Sequence, residues 1–156
     1  MPNIEGVGSR RFEARTFIAA EPEEAFNWIA DYRNVPRVLE GVSRWEPLTR
    51  KKSGVGARFD VEMRTLGVPL TSELELTEWE PPHRIAWSSR GGLIQQQGAW
   101  NIQPDRGGTA VELTIDYTPP AAAFGNLLAG PVERLARGRL QKALDRMDQY
   151  LREDRA

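Results

Sequence analysis

Two tyrosines and two smaller polar residues could orient a bound molecule or act on it. Tyr32 and Tyr117 each carry a hydroxyl in apolar surroundings, which suits the positioning of a carbonyl group or, in an enzyme, proton transfer. Ser72 and Gln96 fall on the apolar side of their segments, where a polar group without a partner costs about 1–3 kcal/mol. Gln96 is therefore expected either to donate to a ligand carbonyl or to bond a backbone group or Ser72. The tyrosines are expected either to contact a ligand or to be structural.

Other reactive groups are scarce in this chain. It has no Cys and one His, so thiolate nucleophiles, disulfides and Cys- or His-rich metal sites are excluded, and we predict no metal and no cofactor. His83 follows Pro81-Pro82 and is interpreted as an exposed turn residue. Two acidic pairs, Asp60 with Glu62 and Glu73 with Glu75, share strand faces with arginines and are interpreted as solvated ion pairs. No catalytic triad or phosphate-binding loop is found.

Composition narrows the class of protein and of partner. The 156 residues are the size of one domain, with residues 1–11 expected to be a flexible N-terminus, 12–152 one domain and 153–156 a tail. The balance of 21 basic and 22 acidic residues gives no basic surface for nucleic acid, so no nucleic-acid partner is expected. The sequence shows no signal peptide and no transmembrane span, which makes the cytoplasm the expected location. The sequence predicts no oligomeric state.

The element that must position any site is a long helix near the C-terminus. Apolar residues recur every three or four positions over residues 127–151, which predicts an amphipathic helix of about 25 residues, roughly 37 Å long. Its polar face meets water, so its apolar face must be covered by another layer of the protein. That apolar face comprises Leu128, Val132, Leu135, Ala136, Leu140, Ala143, Leu144, Met147 and Leu151.

The covering layer is predicted to be an antiparallel sheet. Residues 12–18 alternate as a strand, and two short helices follow, one from Pro22 to about Asp31 and one over residues 34–39. Six further strands are predicted at about 42–50, 57–64, 70–79, 84–90, 94–103 and 109–117, separated by Gly- and Pro-rich turns. Such short connections give a meander, and the first strand can close the sheet at one edge. The expected architecture is α+β: a curved seven-stranded antiparallel sheet around a long C-terminal helix.

Large apolar residues on the inward side of these strands could line a cavity or simply fill the core. A curved sheet and a straight helix diverge toward their ends, and concave apolar spaces of this kind are the usual small-molecule sites. The alternation places Arg44 and Arg90 as the only arginines that could turn inward, and it assigns no face to Trp79. The residues expected to line the cavity, besides the four polar ones, are Trp45, Phe59, Met63, Leu74, Trp87, Trp100, Phe124, Leu128, Val132 and Leu135.

The segment from Tyr117 to Leu128 ends a strand with Pro119-Pro120 and continues into an apolar stretch containing Gly125. Glycine costs about 1 kcal/mol relative to Ala in a helix, so the start of the long helix is intrinsically weak. One interpretation is a flap at the mouth of the cavity whose Phe124–Leu128 stretch makes a transient membrane-surface contact. The other is that these residues pack onto the core.

The order of elements and several short motifs resemble the START-like, or SRPBCC, superfamily with its helix-grip fold. The motifs are Ile18-Ala19-Ala20-Glu21-Pro22-Glu23-Glu24-Ala25-Phe26, Asp31-Tyr32, Gly54-Val55-Gly56, Glu78-Trp79-Glu80-Pro81-Pro82, Gly98-Ala99-Trp100 and Gly107-Gly108-Thr109. The resemblance, including the order of elements, spans about residues 12–151. The superfamily includes polyketide cyclases/dehydrases, Coq10-like coenzyme Q-binding proteins, pollen allergens of the Bet v type and lipid-transfer domains, and the chain most resembles the Coq10-like and cyclase/dehydrase branch.

The resemblance implies a deep apolar cavity between sheet and helix that holds a lipid, quinone, steroid or polyketide-like molecule. Three hypotheses follow, because fold alone does not set function. The first is a non-catalytic binding or carrier protein for a hydrophobic small molecule. The second is an aromatase/cyclase or dehydrase-type enzyme that uses cavity tyrosines and an inward arginine. The third is an interaction or chaperone-like module whose cavity is largely filled.

Overall fold

The structure is a computed structural model that describes residues 10–65, 67–92, 95–118 and 129–155. Seven strands form one antiparallel sheet in the order β1-β7-β6-β5-β4-β3-β2, so the first strand closes one edge as predicted. The strands are β1 (Arg10–Ile18), β2 (Val42–Pro47), β3 (Arg58–Thr65), β4 (Val68–Glu80), β5 (Arg84–Gly92), β6 (Gln95–Asp105) and β7 (Gly108–Thr118). Register shifts in the β2–β3 and β4–β5 pairs introduce bulges, which bend a sheet.

Alternation along each strand separates a buried concave face from a charged convex face. On β3, Phe59 and Val61 are buried, while Arg58 and Asp60 point to the other side and enter ion pairs with Glu73 and Arg44. The same separation holds on β7, where Val111 and Leu113 are buried. The predicted assignment of faces on these strands is therefore confirmed, since period-two side chains alternate across a sheet.

Two short helices cover one end of the concave face. Helix α1 (Pro22–Ala30) begins at a proline with two glutamates in its first turn, which suits the positive end of a helix dipole. A 3₁₀ turn (Tyr32–Asn34) follows, capped by Asp31, whose carboxylate accepts a hydrogen bond from the backbone N–H of Arg33. Asn34 Nδ2 donates to the carbonyl oxygen of Trp28 at 2.8 Å and ties the turn to α1. Helix α2 (Val35–Val38) then ends before β2.

The long helix α3 (Ala129–Arg155) lies against β1 and closes the concave face. Its buried stripe of Leu140, Ala143, Leu144, Met147 and Leu151 is the C-terminal part of the predicted apolar face. The predicted start at residues 127–128 lies outside the described residues. This architecture is the α+β helix-grip fold that the sequence predicts.

Several boundaries differ from the predicted ones. β1 starts at Arg10, inside the expected flexible N-terminus, because Arg10 and Arg11 continue the pairing with β7 and Arg11 forms an ion pair with Asp116 at 3.7 Å. α3 continues to Arg155, through most of the expected tail. β2 ends at Pro47, three residues earlier than predicted, because residues 48–57 form a separate connection. Among the described residues, no helix is both long and apolar enough to cross a membrane.

Candidate functional site

The space between α3 and the concave face contains two adjoining cavities of about 110 and 160 Å³. They share part of one wall, made of Leu39, Trp45, Leu74, Trp87, Ile115 and Leu140. Their combined volume approaches the lower end of the range of about 300–1,000 Å³ that small-molecule sites occupy. The described side chains therefore do not fill the space between α3 and the sheet.

The first cavity lies under α1 and α2 and is almost entirely apolar. Tyr32 of the 3₁₀ turn packs beside Phe59 with ring centroids 5.7 Å apart, and Trp45 also contacts Phe59, with ring centroids 6.4 Å apart. Because the two short helices follow β1 directly, the chain places their apolar side over this end of the sheet. The wall is completed by aromatic and aliphatic residues from α1, α2, β4–β7 and α3, among them Trp28, Ile29, Val35, Val38, Leu76, Trp79, Ile85, Trp100, Leu113 and Ala143.

The second cavity lies toward β1 and β7, and three polar side chains are among the residues that line it. Gln96 and Tyr117 are direct partners across the β6–β7 ladder, so both side chains project from the same face of the sheet into this cavity. Tyr117 also stacks on Phe12 with ring centroids 5.0 Å apart. From α3, Ala136 and Arg139 face these strands. The amide of Gln96, the phenol of Tyr117 and the guanidinium of Arg139 therefore border the same, otherwise apolar cavity.

Arg139 is held at the rim of the second cavity. Its Nη1 donates to the carbonyl oxygen of Arg64 at 2.9 Å. It also lies close to Gly41, which has a φ of +89° and where an added Cβ would come within 2.6 Å of Nη1. The absence of a side chain at Gly41 thus lets the guanidinium close over the end of β3. A charge at the rim is less costly than one in the interior because water still reaches it.

Three tryptophans keep buried indole N–H groups without a hydrogen-bond acceptor among the described residues: Trp28, Trp45 and Trp87. A buried donor that loses its water partner and gains none costs about 1–3 kcal/mol. Trp45 and Trp87 both belong to the wall that the two cavities share. A ligand oxygen brought close to either nitrogen would remove that cost.

The structure places most of the predicted site residues on the walls of the cavities. Tyr32, Phe59 and Trp100 line the first, Met63, Gln96 and Tyr117 the second, and Trp45, Leu74 and Trp87 both. Phe124 and Leu128 lie outside the described residues, and Val132 belongs to α3 with its side chain outside the description. The expected membrane contact through Phe124–Leu128 falls in the same undescribed stretch.

Two predicted residues do not line either cavity. Ser72 is buried on β4 opposite Val61, where its side chain is shorter than those of Leu70 and Leu74 on the same face. Leu135 is half-buried, and the helix positions that reach the second cavity are Ala136, Arg139 and Leu140. One residue along a helix is a rotation of about 100°, enough to move Leu135 away from the cavity beside Ala136.

The arginine prediction needs correction. Arg44 Nε donates to Asp60 Oδ2 at 2.8 Å, and Arg90 Nη1 donates to Glu75 Oε1 at 2.8 Å, so both arginines belong to the charged convex face. The arginine beside the cavity is Arg139, which was not among the predicted site residues. Its spacing of three residues from Ala136 and four from Ala143 was the available signal, since positions three and four apart share a helix face. Trp79, whose face the alternation did not assign, lines the first cavity.

The acidic pairs take no part in the site. Asp60 and Glu62 bind Arg44, and Glu73 binds Arg58, all on the convex face. Within the described ranges, no three His, Asp or Glu side chains cluster closely enough to hold a metal ion. His83 is exposed in its turn, and its Nδ1 lies 3.3 Å from the carbonyl oxygen of Ile102.

Comparison with known proteins gives a consistent picture of fold and family. A family model described as "Polyketide cyclase / dehydrase and lipid transport" matches residues 9–152. The protein Rv1546 of Mycobacterium tuberculosis is 20% identical over 124 residues, which cover 75% of this chain and 87% of that protein.

Two solved structures share the fold. That of TTHA0849 from Thermus thermophilus superposes with a TM-score of 0.82 at 23% identity and covers 94% of this chain and 100% of the other. The di-domain aromatase/cyclase StfQ of the steffimycin biosynthetic pathway gives a TM-score of 0.72 at 19% identity and covers 94% of this chain and 51% of StfQ. This chain therefore corresponds in length to about half of StfQ.

Proposed function

This chain belongs to the polyketide cyclase/dehydrase and lipid transport family, and we propose that it binds and carries a hydrophobic small molecule between its sheet and α3. The observation that carries the proposal is the pair of adjoining apolar cavities, which the described side chains leave unfilled. Leaving such a space costs stability, since packed cores lose about 24 cal/mol for each Å³ of void. An apolar ligand would recover that loss through burial and van der Waals contact. A module whose cavity is filled by its own side chains is disfavoured by the same observation.

The polar groups of the walls favour an oxygen-bearing ligand over a plain hydrocarbon. Trp45 and Trp87, whose buried indole N–H groups have no acceptor among the described residues, belong to the wall that both cavities share, and Gln96 and Tyr117 line the second cavity. A quinone, a lipid head or a polyketide-like ring offers carbonyl or phenolic oxygens to such donors, while its rings or chains occupy the apolar part. The proposed ligand class is therefore a lipid, quinone or polyketide-like molecule.

Native mass spectrometry of freshly purified protein tests the proposal. The expected result is a bound species of small mass that is removed by organic solvent and competed by added ligand. Extraction and identification of that species would give the ligand class directly. Protein that carries no such species and binds no quinone, fatty acid or polycyclic phenol on addition would contradict the carrier proposal.

A second candidate function, an aromatase/cyclase or dehydrase-type enzyme, is favoured by one observation. Tyr117, Gln96 and Arg139 line the same chamber, so a phenolic proton donor and a cation could act on one bound carbonyl compound. Conversion of a poly-β-ketone analogue at a rate that depends on Tyr117 would establish this function. Binding without conversion supports the carrier.

The proposal places the protein in the cytoplasm, where it would transfer its ligand between partners or surfaces. It requires no metal and no cofactor, because the cavity provides binding through apolar contact and hydrogen bonds alone.

A further inference from the structure

The connection between β2 and β3, residues 48–57, differs in charge from the strands it joins. It carries Arg50, Lys51 and Lys52 in succession and contains no acidic residue. None of the three forms an ion pair with a described residue. Arg44 and Arg58, on the adjoining strands, are both paired with carboxylates. We name residues 48–57 the basic loop.

The basic loop also presents exposed apolar side chains. Leu48 and Val55 are 49% and 53% exposed, and they flank the three cations in sequence. The combination of exposed aliphatic groups with unpaired cations is the chemistry of a surface that inserts into the interface of an anionic bilayer.

Hydrogen bonds anchor the loop backbone near both of its ends. Leu48 N–H donates to the carbonyl oxygen of Arg58 at 2.8 Å, and Thr49 Oγ1 donates to the carbonyl oxygen of Lys51 at 2.6 Å. At the other end, Gly56 N–H donates to the carbonyl oxygen of Leu76 at 2.9 Å. A pre-ordered loop loses less conformational entropy when it binds.

The basic loop adjoins the mouth of the first cavity. Lys52 is exposed and is also part of that cavity's wall, together with Trp45 on β2 and Phe59 on β3, the strands that the loop connects. A surface that docks through this loop would therefore meet the protein beside an entrance to the apolar interior.

We propose that the basic loop docks the protein on an anionic phospholipid bilayer, beside the opening through which a hydrophobic ligand enters or leaves the first cavity. The three cations, which form no ion pair with any residue that the structure describes, complement anionic head groups, and Leu48 and Val55 enter the interfacial region. The residues of the basic loop are not those of the segment Phe124–Leu128, for which a membrane contact is one interpretation of the sequence. Docking on lipid goes beyond ligand binding, since each can be measured without the other.

Vesicle flotation tests the proposal with the full chain. The protein is expected to float with vesicles of phosphatidylcholine and phosphatidylglycerol, to remain unbound with phosphatidylcholine alone, and to be released by high salt because exposed charges are screened. The variant R50E/K51E is expected to lose about tenfold or more of its vesicle partition coefficient. Lys52 is left unchanged in this variant because it belongs to the cavity wall.

Matched variants separate docking from general effects of charge and exposed apolar area. R106E/R134E makes the same change in net charge at two exposed positions elsewhere and is expected to keep most of the binding. L48S/V55S is expected to lose binding, whereas F17S, which removes an exposed phenylalanine on β1, is expected to retain it. Circular dichroism and binding of a soluble ligand show that each variant is folded and that its cavity is intact.

Equal partition of the wild type into neutral and anionic vesicles would overturn the proposal. Losses in R106E/R134E as large as those in R50E/K51E would also overturn it, as would flotation of L48S/V55S and R50E/K51E at the wild-type level. Retention of polyanions such as heparin at the loop, with no flotation on anionic vesicles, would also overturn it and assign the loop to a different partner.

Discussion

The indole ring of Trp87 lies across Gly98, its direct partner in the β5–β6 ladder, so closely that a Cβ atom at Gly98 would be 2.9 Å from Trp87 Cε2. Trp87 belongs to the wall shared by both cavities. Because Gly98 has no side chain, the indole ring can lie against the strand at this point, and this sets the position of the shared cavity wall. The same added Cβ would also lie 2.7 Å from the carbonyl oxygen of Thr114.

Gly98→Ala is expected to destabilise the protein by about 1–3 kcal/mol, because the added methyl group displaces the indole ring from its position. Urea denaturation measures this change. Gly91→Ala is the control, since a Cβ at Gly91 meets nothing within 4 Å.

In a Trp87→Leu background, Gly98→Ala should destabilise the protein less. The destabilisation that remains would come from the contact with the carbonyl oxygen of Thr114. An unchanged cost in that background would show that Trp87 does not occupy the space above Gly98. A double-mutant cycle gives the interaction directly.

The unpartnered indole N–H groups predict a preference for ligands with oxygen. Trp45→Phe and Trp87→Phe should each weaken the binding of a naphthoquinone by about tenfold, while the affinity for a naphthalene-type hydrocarbon changes by about twofold or less. Titration calorimetry with both compounds gives the comparison.

Trp79→Phe is the matched control for these two variants. Trp79 also lines the first cavity, but its indole nitrogen is not one of the buried groups without an acceptor. Equal losses for quinone and hydrocarbon in the Trp45 and Trp87 variants would exclude the nitrogens as ligand contacts.

The carrier and enzyme hypotheses predict different effects when a tyrosine hydroxyl is removed from the cavity. Tyr32→Phe and Tyr117→Phe are expected to change ligand affinity by several-fold and to leave any slow conversion of a poly-β-ketone analogue unaltered. Affinity and single-turnover rate are measured on the same samples. A rate loss of about a hundredfold or more at normal affinity would assign a catalytic role and favour the cyclase.

The pair Glu40–Arg146 predicts a pH dependence of stability. Arg146 donates to Glu40 Oε1 at 2.8 Å and, with Lys142 nearby, lowers the pKa of Glu40 below its ordinary value. A lowered carboxyl pKa stabilises the folded state above the unfolded value of about 4.3, and this contribution is lost as the pH falls through the folded value. Glu40 follows Leu39, which lines both cavities, so the pair also holds this part of the wall against α3.

Glu40→Gln should therefore be less stable than the wild type at neutral pH, and the two should converge below about pH 4. Urea midpoints measured across the acid range provide the comparison. Glu80→Gln is the control, because Glu80 is exposed and forms no ion pair within the described ranges. A difference between wild type and Glu40→Gln that persists unchanged into acid would exclude the ion pair as its source.

Much of this fold follows from periodicity. The three- and four-residue spacing predicted the buried stripe of α3, and the two-residue spacing on β3, β4 and β7 predicted which side chains face it, because each period fixes a face of its element. The connection between β2 and β3 was predicted, but the end of β2 was placed three residues too late, since this boundary depends on hydrogen bonds such as Leu48 N–H to the carbonyl oxygen of Arg58 rather than on alternation.

The site was less accessible to sequence reasoning. Alternation shows that Ser72 and Trp87 face inward. Whether an inward residue borders a cavity depends on how far the side chains of neighbouring strands extend, which alternation does not give. Arg139 was missed because a charged residue on a helix is ordinarily assigned to the solvent face, whereas here Gly41 makes room for it at the rim. A glycine in one element and an arginine in another, almost a hundred residues apart, give no joint signal in a single sequence.

Titration with N-phenyl-1-naphthylamine tests the central claim most directly, because Trp45 and Trp87 would transfer excitation energy to a probe bound between α3 and the sheet. The wild type is predicted to bind one probe per chain, saturably, and to release it to a competing ligand. Ala136→Phe, which fills the second cavity from α3, should weaken binding by about tenfold or more, whereas Gln141→Phe on the exposed side of the same helix should not. Absence of saturable binding, or binding that Ala136→Phe leaves unchanged, would contradict a ligand-accepting cavity at this place.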